Sequence, residues 1–75
     1  MSATFDRAFS VAVLPPGTAQ RNLLRAHLEA HDHLAVAMDR PDGAVTIVGS
    51  YAQRAEILAV VNELSATLGL LRIGE

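Results

Sequence analysis

The chain has no cysteine, and its six basic residues are all arginine. Without cysteine, disulfides and thiolate metal sites are excluded and the redox compartment is unmarked. Arg7, Arg21, Arg25, Arg40, Arg54 and Arg72 are scattered along a chain of formal charge -2. That pattern argues against a phosphate backbone as partner, which calls for clustered cations. Aromatics are only 4% of residues, too few for the base-stacking surface of an RNA-binding sheet. No apolar run approaches the roughly 20 residues of a bilayer span. The segment Met1-Ser2-Ala3-Thr4-Phe5-Asp6 lacks the charged and apolar regions of a secretory signal. The expectation is a cytoplasmic protein with no membrane or nucleic-acid partner.

Hydrophobic residues, by contrast, make up 51% of the 75 positions, much of it Ala and Val. A chain of this length forms one domain, here residues 1–75, and buries only about 60% of its unfolded surface. With no disulfide to help, a partner chain is the expected further source of buried area.

Phe9, Val11 and Val13 alternate with Ser10, Ala12 and Leu14, the period of a strand. Pro15-Pro16-Gly17 ends it, since neither proline donates to a ladder and Gly17 permits positive φ. Thr18 is the expected N-cap of a helix running to about Ala30. Leu23, Leu24, His27 and Leu28 form its apolar stripe, with Arg21, Arg25 and Glu29 opposite and an Arg25–Glu29 pair of small value. Leu34, Val36 and Met38 alternate with Ala35 and Ala37 as a second strand. Pro41-Asp42-Gly43 suits a type I turn with Gly43 left-handed, followed by a third strand through Val45 and Ile47. Ser50 and Gln53 have capping-box spacing ahead of a helix carrying Ile57, Val60, Val61, Leu64 and Leu68. Gly69 is its C-terminal stop, and Leu70 to Ile73 has the makings of a short fourth strand.

The order is β-α-β-β-α-(β). Right-handed crossovers then place both helices on one face of an antiparallel sheet, a ferredoxin-like α+β sandwich. One alternating set, Phe9, Val11, Val13, Leu34, Val36, Met38, Val45 and Ile47, is large and is assigned to the helix side. The other, Ser10, Ala12, Ala35, Ala37, Ala44, Thr46 and Val48, is small and carries no charge. A solvated strand face ordinarily alternates into polar residues. The second set, with Ala12, Ala35, Ala37, Thr46 and Val48 at its centre, is therefore expected to be an interface with another chain.

Chemistry-bearing residues are sparse. His27 and His31 are four apart, with His33 nearby, yet no zinc-protease motif surrounds them and they read as structural. Asp39, Arg40 and Asp42 belong to a turn, Ser50 to a cap and Ser10 to a strand. No nucleophile–base pair accompanies them, so no catalytic residue, metal site or cofactor is assigned. Pro15-Pro16-Gly17-Thr18 has some site-like character: Gly17 leaves the main chain approachable at a helix N-terminus.

The stretch Val13-Leu14-Pro15-Pro16-Gly17-Thr18-Ala19, an amphipathic helix and then Leu34-Ala35-Val36, resembles the start of an ACT domain, with Pro16 and Gly17 as its Pro-Gly opening. The resemblance implies a dimeric regulatory module that binds a small molecule, often an amino acid, between subunits. On that basis the ligand-binding residues are Gly17 and Thr18, extended to Asp32 and His33. With no attached enzyme or DNA-binding domain, control is expected to act through a separate partner chain. The functional expectation is a non-enzymatic homo-oligomer, a dimer foremost, that binds or senses a small ligand. The alternative is a protein–protein adaptor that uses its small-residue sheet face without any ligand.

Overall fold

A computed structural model describes residues 7–31 and 34–74 and places six elements in the expected order. These are β1 (Ala8–Leu14), α1 (Thr18–Ala30), β2 (Ala35–Asp39), β3 (Val45–Ser50), α2 (Arg54–Leu68) and β4 (Leu71–Gly74). The strands form one antiparallel sheet in the order β2-β3-β1-β4. Each helix carries the chain across one intervening strand, which is the ferredoxin-like arrangement. Leu24 and Leu28 of α1 and Ile57, Val61 and Leu64 of α2 close over Val11, Val13, Val45 and Ile47, forming one core on one side of the sheet. Among the described residues, no helix is long and apolar enough to cross a membrane.

The turns hold as their residues predict. Gly43 has φ 89°, and its N–H donates to the Arg40 carbonyl at 3.1 Å. Arg40 N–H donates to the Ala44 carbonyl at 2.9 Å, and the Asp42 carboxylate accepts the Ala44 N–H at 3.0 Å. At the end of α2, Gly69 adopts φ 73°, and both its N–H and that of Leu70 donate to the Ser65 carbonyl. Leu70 returns to the core, so the last residues are aimed back along β1 and pair there as β4.

Helix entry differs from expectation at both sites. Gly17, not Thr18, is the N-cap of α1; its carbonyl accepts the Arg21 N–H at 3.1 Å, and no side chain caps the turn. Gly17 has φ -167°, extended backbone open to any residue, so positive φ plays no part in the loop. Ser50 caps a single 3-10 turn, Tyr51–Gln53, by accepting the Ala52 N–H at 3.2 Å. That turn intervenes before α2 begins at Arg54, which shifts the helix start beyond the capping box.

The larger correction concerns β2. Ala35 pairs with Gly49, Ala37 with Ile47 and Asp39 with Val45. Ile47 and Val45 point into the core, so Ala35 and Ala37 share the helix side and are buried there. Val36 and Met38 stand on the open side, 61% and 56% exposed. Leu34 misleads the reading because it is buried in the loop ahead of the strand, where its N–H donates to the His31 carbonyl. Its burial therefore says nothing about the phase of the strand that follows.

On α1 the buried stripe narrows to Leu24 and Leu28, while Leu23 and His27 face outward. The expected Arg25–Glu29 pair gives way to contacts across the sheet edge. Arg25 donates to the Asp39 carboxylate at 2.9 Å and to the Ala37 carbonyl at 3.1 Å. Arg21 donates to the Gly43 carbonyl at 2.8 Å. Two arginines thus tie α1 to the β2–β3 hairpin.

Candidate functional site

The face of the sheet turned away from the helices is built from alternate residues of all four strands. Ala12 lies opposite Thr46, which lies opposite Met38. Ser10 lies opposite Val48, which lies opposite Val36. At the other edge Leu14 faces Leu71, and a bulge between Ala12 and Val13 admits Ile73. None of these side chains is charged. The exposed members are the large ones: Val36, Met38, Leu71, Ile73 and Leu14. Ala12 is almost fully buried. In relief the less exposed Ser10, Thr46 and Val48 make a trough between an apolar ridge on β2 and another at the β1–β4 edge. The face holds the largest grouping of exposed apolar side chains on the described strands.

Of the interface residues named from sequence, Ala12, Thr46 and Val48 lie on this face, whereas Ala35 and Ala37 lie beneath the helices. The residues that sequence reasoning missed are Val36, Met38, Leu14, Leu71 and Ile73. A signal for β2 was present in the hairpin. Once Arg40 and Ala44 close the Pro41-Asp42-Gly43 turn, counting outward sets Asp39 against Val45 and Ala37 against Ile47. Turn geometry fixes register, and register fixes which face each residue takes.

The loop candidates are spread apart. Gly17 and Thr18 open α1, while His31 and Leu34 stand beyond its other end, about 20 Å away at 1.5 Å per residue. Asp32 and His33 lie outside the described residues. A β-carbon on Gly17 would meet only the Gln20 side-chain oxygen, at 3.1 Å, so the glycine is not held there by a crowded main chain. His27 Nδ1 lies 3.0 Å from the Leu23 carbonyl, a local contact along the helix. Among the described residues, no group of three or more His, Cys, Asp or Glu is arranged to hold a metal ion.

Two other clusters are built by the fold. Tyr51 lies beneath two guanidinium groups, Arg54 at 4.1 Å and Arg7 at 5.0 Å from its ring centre, with Phe9 edge-on at 6.4 Å. The Arg54 guanidinium also donates to the Tyr51 carbonyl, and the Tyr51 N–H donates to the Arg7 carbonyl, so the cluster seals the end of β1 and β3. On the helix side, a crevice of about 350 Å³ runs between α1 and the edge strand β2, bounded by Arg25, Leu28, Glu29, Ala35, Val36 and Ala37.

Set against protein-family models, curated proteins and solved structures, the chain finds no significant match in any of the three. The fold therefore rests on its own topology, and the functional reading on its own surfaces.

Proposed function

We propose that this chain is a non-enzymatic assembly module whose open sheet face packs against a second copy of itself. The observation that carries the proposal is the uncharged, apolar face running from Val36 and Met38 to Leu14 and Leu71. Its relief supports a like partner. A ridge from one copy seats in the trough of the other, and two-fold symmetry makes the exchange reciprocal. The absence of charge along these strand positions supports it as well, because a charged heterologous partner would find nothing to pair with. Four strands about 4.8 Å apart, of 7, 5, 6 and 4 residues at about 3.3 Å each, present roughly 350 Å² in projection. That is under half of the roughly 800 Å² per partner of a standard interface, so the pairing is expected to be weak and concentration-dependent. The ACT-like opening at Pro16 and Gly17 is in keeping with this reading, since such modules dimerise.

Light scattering across a concentration series tests it. The expected result is the mass of a dimer at high micromolar concentration, falling toward 8.0 kDa on dilution. A monomer throughout overturns the proposal. Capture of a different protein by the same face, with no self-association, would establish the adaptor reading instead.

A further inference from the structure

The crevice between α1 and β2 lies on the opposite side of the sheet from the Met38 ridge, and what it can hold follows from its lining. Leu28, Ala35 and Ala37 are buried and give it an apolar floor. Arg25 and Glu29, one helical turn apart, supply its charges. At about 350 Å³ it falls within the range of small-molecule pockets.

The two charges are not equally available. Arg25 is already engaged, with one guanidinium nitrogen on the Asp39 carboxylate at 2.9 Å and the other on the Ala37 carbonyl at 3.1 Å. Glu29 is exposed and pairs with no cation among the described residues. The charge left to a ligand is therefore negative. A carboxylate accepts hydrogen bonds and cannot donate them, whereas an ammonium group brings three donors.

We infer that this crevice binds a small aliphatic amine, its ammonium group on Glu29 and its hydrocarbon body on Leu28, Ala35 and Ala37. A carboxylic acid of the same shape would meet Glu29 as a like charge and find Arg25 occupied. An amino acid would gain the first contact and lose on the second. The crevice thus selects an amine over the amino acid that an ACT-like ligand site implies. The inference does not depend on pairing of the open face, which shares only Val36 with the crevice and leaves Glu29, Leu28, Ala35 and Ala37 untouched.

The test is an amide-resolved NMR titration of the full chain with 3-methylbutylamine, 3-methylbutanoate and leucine. For a ligand of roughly six heavy atoms, affinity on the order of millimolar is expected. The amine should give saturable shifts at Leu28 and at Ala35 to Ala37. Glu29→Gln should weaken it roughly tenfold, the worth of one charge-assisted contact. Glu29 is exposed, so the variant should keep the dispersed spectrum of the wild type. Glu29→Lys supplies an independent check, because it should reverse the preference toward 3-methylbutanoate. Equal affinity of the wild type for the acid or for leucine overturns the inference. So does unchanged amine affinity in Glu29→Gln, or no saturable shift with the amine.

Discussion

Gly49 on β3 lies directly beneath Ile57 on α2: a β-carbon built on the glycine would fall 2.5 Å from Ile57 Cδ1 and 2.9 Å from the Leu34 carbonyl oxygen. Ala35, its partner in register, is the only side chain of that pair. The small pair lets the first turn of α2 settle onto the sheet, and it brings β3, α2 and the entry to β2 together at one point.

Gly49→Ala is therefore expected to destabilise the fold by about 1–3 kcal/mol, the usual cost of overpacking a core. The Ile57 side chain can rotate, but the Leu34 carbonyl is main chain and cannot give way cheaply. Thermal unfolding followed by circular dichroism should show a loss of roughly 4–8 °C for each kcal/mol in a domain this small. An unchanged midpoint would mean that α2 does not seat on Gly49.

A pair of neighbouring substitutions separates the two faces of β2. Met38→Glu places a carboxylate on the open ridge and should leave the unfolding midpoint within a few degrees while lowering the mass seen by light scattering. Ala37→Glu sets a carboxylate on the helix side, in the crevice wall beside Leu28 and the already engaged Arg25. It should lower the unfolding midpoint well beyond the Met38→Glu change, since partial burial of a charge without a free partner is costly. The opposite pattern would reverse the register of Ala37 against Ile47.

Gly17→Ser is expected to stabilise. Its extended backbone suits any residue, and only the mobile Gln20 side chain stands near the new β-carbon. Serine would add the missing N-cap acceptor and reduce unfolded-chain entropy, together worth about 0.5–1 kcal/mol. A drop in midpoint would show that the glycine is needed for its conformation. Gly43 is the contrast: at φ 89°, Gly43→Ala should destabilise by more than the entropic gain of about 0.4–1 kcal/mol that alanine brings at a compatible site.

Asp39→Asn tests the clamp on the hairpin. Both side chains are well exposed, 39% for Arg25 and 57% for Asp39, so the ion pair should contribute under about 1 kcal/mol and less at high salt. Denaturant titrations at low and high ionic strength should show the variant and wild type converging as salt rises. No difference at either ionic strength would leave the Arg25 contact with the Ala37 carbonyl, kept in both proteins, as the tie.

Much of the fold was legible because its punctuation is strong. Pro15-Pro16, the Pro41-Asp42-Gly43 turn and Gly69 each permit little besides the turn or stop they form. Ile57, Val61 and Leu64 leave no doubt about which side of α2 faces inward. On β2, side-chain size misleads as a mark of burial. The core needs alanine at positions 35 and 37 so that α1 and α2 can approach the sheet, and the bulky Val36 and Met38 are left outside. The same inversion turns the candidate surface, expected to be small and uncharged, into one with two apolar ridges. Arg21 and Arg25 were placed in solvent because the helical wheel says nothing of a hairpin beside it. The amine-sized crevice was likewise invisible, since its floor and its rim come from elements that only the fold brings together.

The contact between Arg25 and the Ala37 carbonyl also governs how the molecule can grow. An open sheet edge invites further strands, and a chain half made of hydrophobic residues would be a ready template for fibres. Here the middle of the β2 edge already has its carbonyl taken, and β4, at the opposite edge, is only four residues long and bears a bulge against β1. Lateral extension is blunted at both margins, in keeping with the proposed pairing by stacking across the open face. Such stacking closes on itself after two copies, so concentration should yield a discrete particle rather than a filament.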